Sequence, residues 1–477
     1  MSVAATLALG GAIAYEFAHP SHTTAAQPAA ASTTLQPTTG AVQGKTHSSG
    51  SSANLSSGSV AASGSPTAQK ASASSSSGGK AHAKATKASK GTSSHSGSHS
   101  TGTPSSKPSP QQGVNRGVIT VGGIYDETGP IDATVERDTV RSYFNLVNSQ
   151  GGVNGYKLRL IDCDSKYDPS SAHQCAQKLI SQGVLAIVGW LSLSGEQSEA
   201  KYLTSQGVPI IGGLGVPAEY ESPLSFPTTP SLVTTGTALG TRAGQVGLKK
   251  PGVIFLNANF IQPVEASFLA AMKKQGISPV DVEQVDATKA DYTDIVLKFR
   301  AEGAQSVAAF VDPFSYARLF QAMERQGWHP PVLGGGLDKA SANAQYAAGC
   351  GSSCAVFGAY SATPVLEFAD HASTPAISQY MGAVHTFYPR QYGALDVYTT
   401  YQWIAAEVFA HAIKNIGSAP VSRQSLVKAL DGLRNFSDGG LTRPITYGNG
   451  NHDPLHCLQW LHNSSGHWQT TSGWNCF

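Results

Sequence analysis

The chain has 477 residues, enough for two or three domains, and its 40% hydrophobic content can supply real cores. Only 13% of residues are charged, and no Asp or Glu falls between Glu16 and Asp126 while seven lysines do. Setting aside those lysines and Glu16 turns the overall +2 into about −4 from Gly113 onward, which argues against nucleic acid as the partner of the folded part.

Residues 3–15, VAATLALGGAIAY, are too short for a membrane span of ~20 residues and suit the apolar core of a signal or anchor segment, here 1–19. No Lys or Arg precedes them, so either the true start lies upstream or the signal is degraded. No Cys lies near position 20 for lipid attachment, and export is still expected. Residues 20–112 are dominated by Ser, Thr, Ala and Gly with recurrent Lys, a composition that cannot offset the roughly 1–2 kcal/mol of backbone entropy per ordered residue. That segment reads as a disordered linker, a tether to the membrane across an envelope layer or simply a solvated spacer.

Past the linker, Val140, Tyr143, Phe144 and Val147 recur at helical spacing and lead into NSQGG, where Gly151 and Gly152 stop a helix. Tyr156, Leu158 and Leu160 alternate with Lys157 and Arg159 as in a strand with one buried face. Asp168 caps a new helix that starts at Pro169 and continues through Ala172, Cys175, Ala176 and Leu179. The solid apolar run VLAIVGW (184–190) predicts a strand of a parallel sheet. The alternation goes on through VPIIGG (208–213), PGVIFLNA (251–258), a helix over 263–275 and a strand near 279–285. A helix over 291–303, the strand SVAAFV (306–311) and a helix ending at Gly327 follow. Residues 374–432 read as mostly helical, and LHCLQWLH and GHWQT as closing strands. The expectation is an α/β protein of βαβ units in two runs, divided near residue 235.

Six cysteines fall into near neighbours, Cys163 with Cys175, Cys350 with Cys354 and Cys457 with Cys476, which fits three local disulfides in an oxidising compartment. A zinc site is the alternative, since Cys350 and Cys354 resemble half of one and His452, His456, His462 and His467 crowd the C-terminus. No second tight pair completes it, so no metal is expected. Ligands of open α/β sheets sit beyond the carboxyl ends of the strands, here the loops YDETGP, WLSLSG, GGLGVP, NANF, DPF and GGGLD. Any one of these could equally be ordinary turn chemistry.

In order and spacing, ITVGGIYDETGP, NSQGGVNGYKLRLIDCDSKYDP, AIVGW and GVPIIGG resemble the type I periplasmic binding proteins, nearest to the leucine/isoleucine/valine-binding branch that serves ABC transporters. The resemblance covers about 115–477. It implies two Rossmann-like lobes, 113–235 plus 359–441 and 236–358 plus 442–477, joined by a three-crossover hinge near 235, 358 and 441 that closes on ligand. It also implies a small-molecule ligand, an ABC permease partner, a monomer, no cofactor and no catalysis. No GxSxG elbow, P-loop or HExxH appears in the sequence. A ligand-sensing receptor subunit of the same fold, or an envelope adhesion or structural protein, is the alternative role.

Carried over residue by residue, the resemblance departs from an amino-acid clamp. Leu193, between Ser192 and Ser194, falls where a carboxylate-binding serine is usual, and Val216, after Leu214 and Gly215, where a threonine is usual. Phe260 matches a second-lobe aromatic, and the acid for an ammonium falls at Gly336, with Asp338 and Asp312 nearby. The expected site is Tyr125, Thr128, Trp190, Ser192, Ser194, Leu214, Gly215, Phe260, Asp312, Phe314, Gly336 and Asp338. Because an unpartnered charge in a closed cleft costs several kcal/mol, a small polar or amphipathic ligand other than a free aliphatic amino acid is expected, with amides and related molecules included.

Overall fold

Helix α1 (Thr134–Ser149) ends where the backbone turns left-handed at Gly151 and Gly152, φ 108° and 90°. A Cβ at Gly152 would lie 2.1 Å from the Tyr156 carbonyl oxygen, so the turn requires glycine there. The computed structural model describes residues 112–337, 339, 356, 358–448, 450 and 452–477. The apolar segment 1–19, the linker apart from Gln112, Asp338 and the Cys350–Cys354 pair lie outside the described residues.

The first sheet is built on β2 (Val118–Tyr125), which pairs in parallel with β3 (Lys157–Asp164) along its length and with β4 (Ile187–Val188) at Gly122. β5 (Ile210–Ile211) and β6 (Ser225–Phe226) continue the parallel order, and β1 (Val114–Asn115) pairs antiparallel with β2. Along β3, Leu158 and Leu160 are buried while Lys157 and Arg159 face solvent. Helix α2 (Pro169–Ser181) is capped by the Asp168 carboxylate, which accepts the Ser171 N–H at 2.7 Å. Helices α3 (Leu193–Ser205) and α4 (Pro217–Tyr220) follow β4 and β5.

The second sheet repeats this order. β7 (Pro251–Leu256) lies between β8 (Asp281–Val285) and β9 (Ser306–Phe310), and β10 (Val332–Gly334) and β11 (Tyr360–Thr363) extend it in parallel. β12 (Cys457–Ser464) closes that edge antiparallel to β11, with β13 (His467–Thr470) and β14 (Asn475–Cys476) paired to it. Helix α5 (Leu232–Gln245) precedes β7, and α6 (Ile261–Lys274), α7 (Thr293–Ala301) and α8 (Pro313–Arg325) alternate with the strands. In each sheet the strand order reverses beside the first parallel strand, between β2 and β4 and between β7 and β9. Such reversals splay adjacent loops apart and open a crevice at the carboxyl ends.

Because β11 belongs to the second sheet, the chain returns to the first half after Thr363. There it forms α9 (Pro375–Phe387), α10 (Val397–Ile416) and α11 (Arg423–Asp431). Asp396 starts α10 with a capping box, accepting the Thr399 N–H at 3.0 Å. α10 is buried over most of its length and meets α1 through aromatic contacts, Tyr143 edge-on to Trp403 at 4.9 Å. Among the described residues no helix is long and apolar enough to cross a membrane.

Disulfides join Cys163 to Cys175 and Cys457 to Cys476, tying β3 to α2 and β12 to β14. Each closes a short loop, so reduction is expected to lower the unfolding free energy by about 3 kcal/mol per bridge. The check is the urea midpoint with and without reductant; an unchanged midpoint would show that the bridges carry no stability.

Candidate functional site

Beyond the carboxyl ends of both sheets lies a cavity of about 120 Å³. The first half contributes Ile131, Leu191 and Leu193, then Leu214, and then Thr229 and Pro230, from the segments after β2, β4, β5 and β6, and Leu232 and Thr235 follow on α5, which packs on the second sheet. The second half contributes Leu256 and Ile261, Phe310 to Pro313, Gly335 and Gly336, Lys339, Ala362 and Leu458. Tyr398 and Tyr401, on the first turns of α10, and Pro364 complete the wall. The lining is overwhelmingly hydrocarbon, and its size compares with the ~150 Å³ apolar cavities that take up a benzene ring.

The few polar side chains in this wall already have partners. Asp312 caps α8, its carboxylate accepting the Phe314 and Ser315 N–H groups at 3.1 and 2.9 Å and the Ser315 hydroxyl. The Lys339 ammonium donates to Glu136 on α1 and, at 3.1 Å, to Asp396, and all three side chains are at most 2% exposed. Lys339 thus reaches from the second half of the molecule into the first. Thr229 and Thr235 donate their hydroxyls to the carbonyls of Gly213 and Ser231.

A pair of buried acids backs the wall at Leu193 and Leu214. Glu196 accepts the Ser192 N–H at 3.1 Å and the Leu214 N–H at 2.9 Å, while Glu219 accepts the Gly215 N–H at 2.9 Å. Burial holds the Glu196 carboxyl well above the usual carboxylate range, and the adjacent Glu219, itself pushed up by burial, reinforces it. Two carboxyls in contact without a cation share a proton rather than ionise together.

The residues expected at the site divide into those at the wall and those packed behind it. Leu214, Asp312 and Gly336 line the cavity. Trp190 and Tyr125 are fully buried, Trp190 in the apolar cluster with Leu179 and Leu203, so neither offers surface to a ligand. Phe260 and Phe314 are 6% and 8% exposed and pack into the core, each beside a lining residue, Ile261 and Pro313. Ser192 donates to Asp126 at 2.9 Å, and Thr128 donates to Asp164 at 2.6 Å. Ser194 buries its hydroxyl without a partner among the described residues, and Gly215 gives its N–H to Glu219. At Gly336, φ is +78° and a Cβ would lie 2.3 Å from the Tyr398 hydroxyl, so an acidic side chain has no room there.

Other wall residues carried no recognisable signal. Tyr398 and Tyr401 are two aromatics in a helix full of them, three apart and therefore on one face at its first turns. Lys339 stands alone among small residues, and a buried lysine is exceptional enough that sequence alone would place it in solvent.

Several buried carboxyls keep their protons to unusually high pH. Burial pushes Asp126 up to about 6 and Glu367 and Glu407 up to about 7, and it raises Glu136 against the pull of the Lys339 ammonium. A carboxyl with a raised pKa binds its proton more tightly when folded, so its stabilisation is complete below the unfolded value and disappears as pH rises through the folded one. His411, lowered by burial, acts in the opposite direction as pH falls below 6.5. Stability is therefore expected to fall between pH 5 and pH 8, on the order of 2 kcal/mol. Thermal melts across that range test it, and a melting point that rises with pH would contradict these assignments.

Two α/β halves with matching strand order and a cavity between their switch points define a cleft-type binding protein, and a family model for periplasmic binding proteins matches residues 118–465. The chain belongs to the periplasmic binding protein family, type I, whose members bind solutes rather than transform them. Among curated relatives it is 23% identical over 227 residues to the Leu/Ile/Val-binding protein homolog 3 of Brucella melitensis, covering 46% of this chain and 61% of that protein. It is 28% identical over 166 residues to an amino acid binding protein of Pseudomonas aeruginosa, covering 34% of this chain and 44% of that one. The match thus spans between about two fifths and three fifths of these relatives' length. Similar solved structures include a fatty acid ABC transporter substrate-binding protein from Thermomonospora curvata, with TM-score 0.68 and 18% identity over 77% of this chain and 95% of that one. A branched chain amino acid ABC transporter protein from Thermus thermophilus with bound valine gives TM-score 0.67 and 17% identity over 76% and 98%. An ABC transporter solute binding protein from R. palustris in complex with benzoate gives 0.63 and 17% over 75% and 97%.

Proposed function

We propose that this protein is an exported, envelope-tethered solute-binding protein that captures a small amphipathic ligand between two lobes and delivers it to an ABC-type permease. The observation that carries the reading is the apolar cavity, walled by loops from the carboxyl ends of both sheets. The lobes are the bodies built around the two sheets, and the segments after β6, after β11 and before β12 act as the hinge. Export accords with the Cys163–Cys175 and Cys457–Cys476 bridges, which persist in an oxidising compartment. Segment 1–19 serves as signal or anchor, and the Ser-, Thr- and Lys-rich stretch to 112 as the tether.

Valine, benzoate and a fatty acid, named for the similar structures, share an apolar body. That body suits this cavity; a zwitterionic head does not, since neither Gly336 nor the Leu193 position offers a side-chain partner. The test is a thermal-shift screen against amino acids, amides, short fatty and aromatic acids, and their neutral counterparts. A ligand at 100 times its Kd stabilises by about 2.7 kcal/mol. A saturable shift with at least one small amphipathic compound is expected, and silence across the panel would contradict capture. Crosslinking to a membrane permease in cells tests delivery.

A further inference from the structure

Resting on the reading of this cavity as the capture site, we propose that its ligand carries no ionised group: a short-chain or aromatic alcohol of about six to eight heavy atoms, matched to the cavity's size. Among the described residues, the charged side chains of the wall, Asp312 and Lys339, are already engaged. An anion would look to Lys339, whose ammonium is held between Glu136 and Asp396, or to the loop amides beside Leu193 and Leu214. There the amides of Ser192, Leu214 and Gly215 are given to the buried Glu196 and Glu219, so these three are not open to an incoming carboxylate.

A cation fares no better. Asp312 has both oxygens engaged at the α8 cap, and the backbone at Gly336 lies against Tyr398 with no room for an acid. A charge enclosed by hydrocarbon without a counter-group loses its hydration with nothing in return. A hydroxyl is different, because Thr229 and Thr235, having donated their protons to Gly213 and Ser231 carbonyls, keep lone pairs that can accept one. The internal acids and the lysine therefore act as specificity elements: they close the cleft to charged relatives of the same hydrocarbon.

Calorimetric titration of the full chain at neutral pH decides the matter with two matched series: isoamyl alcohol, isovalerate and isoamylamine, and benzyl alcohol, benzoate and benzylamine, with leucine alongside. In at least one series the alcohol is expected to bind ~10-fold or more tightly than either ionised partner. An acid, an amine or leucine binding as tightly as the best alcohol would overturn this inference while leaving the capture function intact. Absence of saturable binding by all seven compounds would instead remove the cavity as a capture site, and this inference with it.

Discussion

Replacing Lys339 with Met is expected to destabilise the folded protein by about 3–5 kcal/mol, the cost typical of leaving buried charges without their partner. Glu136 on α1 and Asp396 at the cap of α10 are both fully buried and share this one ammonium. With Lys339 gone, two carboxyls face each other in a dry site, and at least one must take up a proton. The loss should be smaller at pH 5 than at pH 8, because burial already raises Glu136 and the low pH supplies its proton. Adding Glu136→Gln to Lys339→Met should recover a large part of the loss by removing one of the stranded charges, while Asp396 keeps its cap on α10. Urea unfolding of the single and double variants at both pH values reads all of this. A single variant as stable as the parent would show that the triad contributes nothing. Since Lys339 connects the two halves of the molecule, the same variant should also bind ligand more weakly.

The second large effect is expected from filling the cavity. Thr235 sits on α5, half-buried, with its hydroxyl turned back to the Ser231 carbonyl, so its side chain can grow toward the cavity without displacing a packed core residue. Thr235→Trp should occupy most of the 120 Å³ and lower ligand affinity by roughly 100-fold or more, equivalent to ~3 kcal/mol. Stability should change by only about 1 kcal/mol or less, as for substitutions away from core packing. Normal binding by this variant would place the ligand elsewhere.

Much of the scaffold was legible because it is written locally. Gly151–Gly152, Asp168–Pro169 and the alternation from Tyr156 to Leu160 each fix a turn, a cap or a strand within a few residues, and all appear where expected. The run 184–190 is buried throughout, as a parallel-sheet strand requires, although only Ile187 and Val188 pair regularly. The loops holding Leu214, Asp312 and Gly336 were legible as well, because strand ends at a switch point face the crevice. What local sequence does not encode is which side of a loop a side chain takes. Trp190, Phe260 and Phe314 stand beyond the ends of β4, β7 and β9 yet turn into the core, while the smaller Leu191, Ile261 and Val311 make the wall. Contacts that join distant segments were equally hidden: Lys339 with Glu136 and Asp396, and Glu196 with Glu219, acquire meaning only when folding brings them together.

Isothermal titration of the parent chain and of Thr235→Trp with the best compound of the matched series, at several temperatures, shows whether solute enters this cavity. One-to-one saturable binding with a negative heat-capacity change, the mark of apolar surface leaving water, and its loss in the Trp variant are the predicted result. Binding of equal strength in both proteins, or no saturable binding in either, would contradict the account of this cleft as the place where the protein captures its solute.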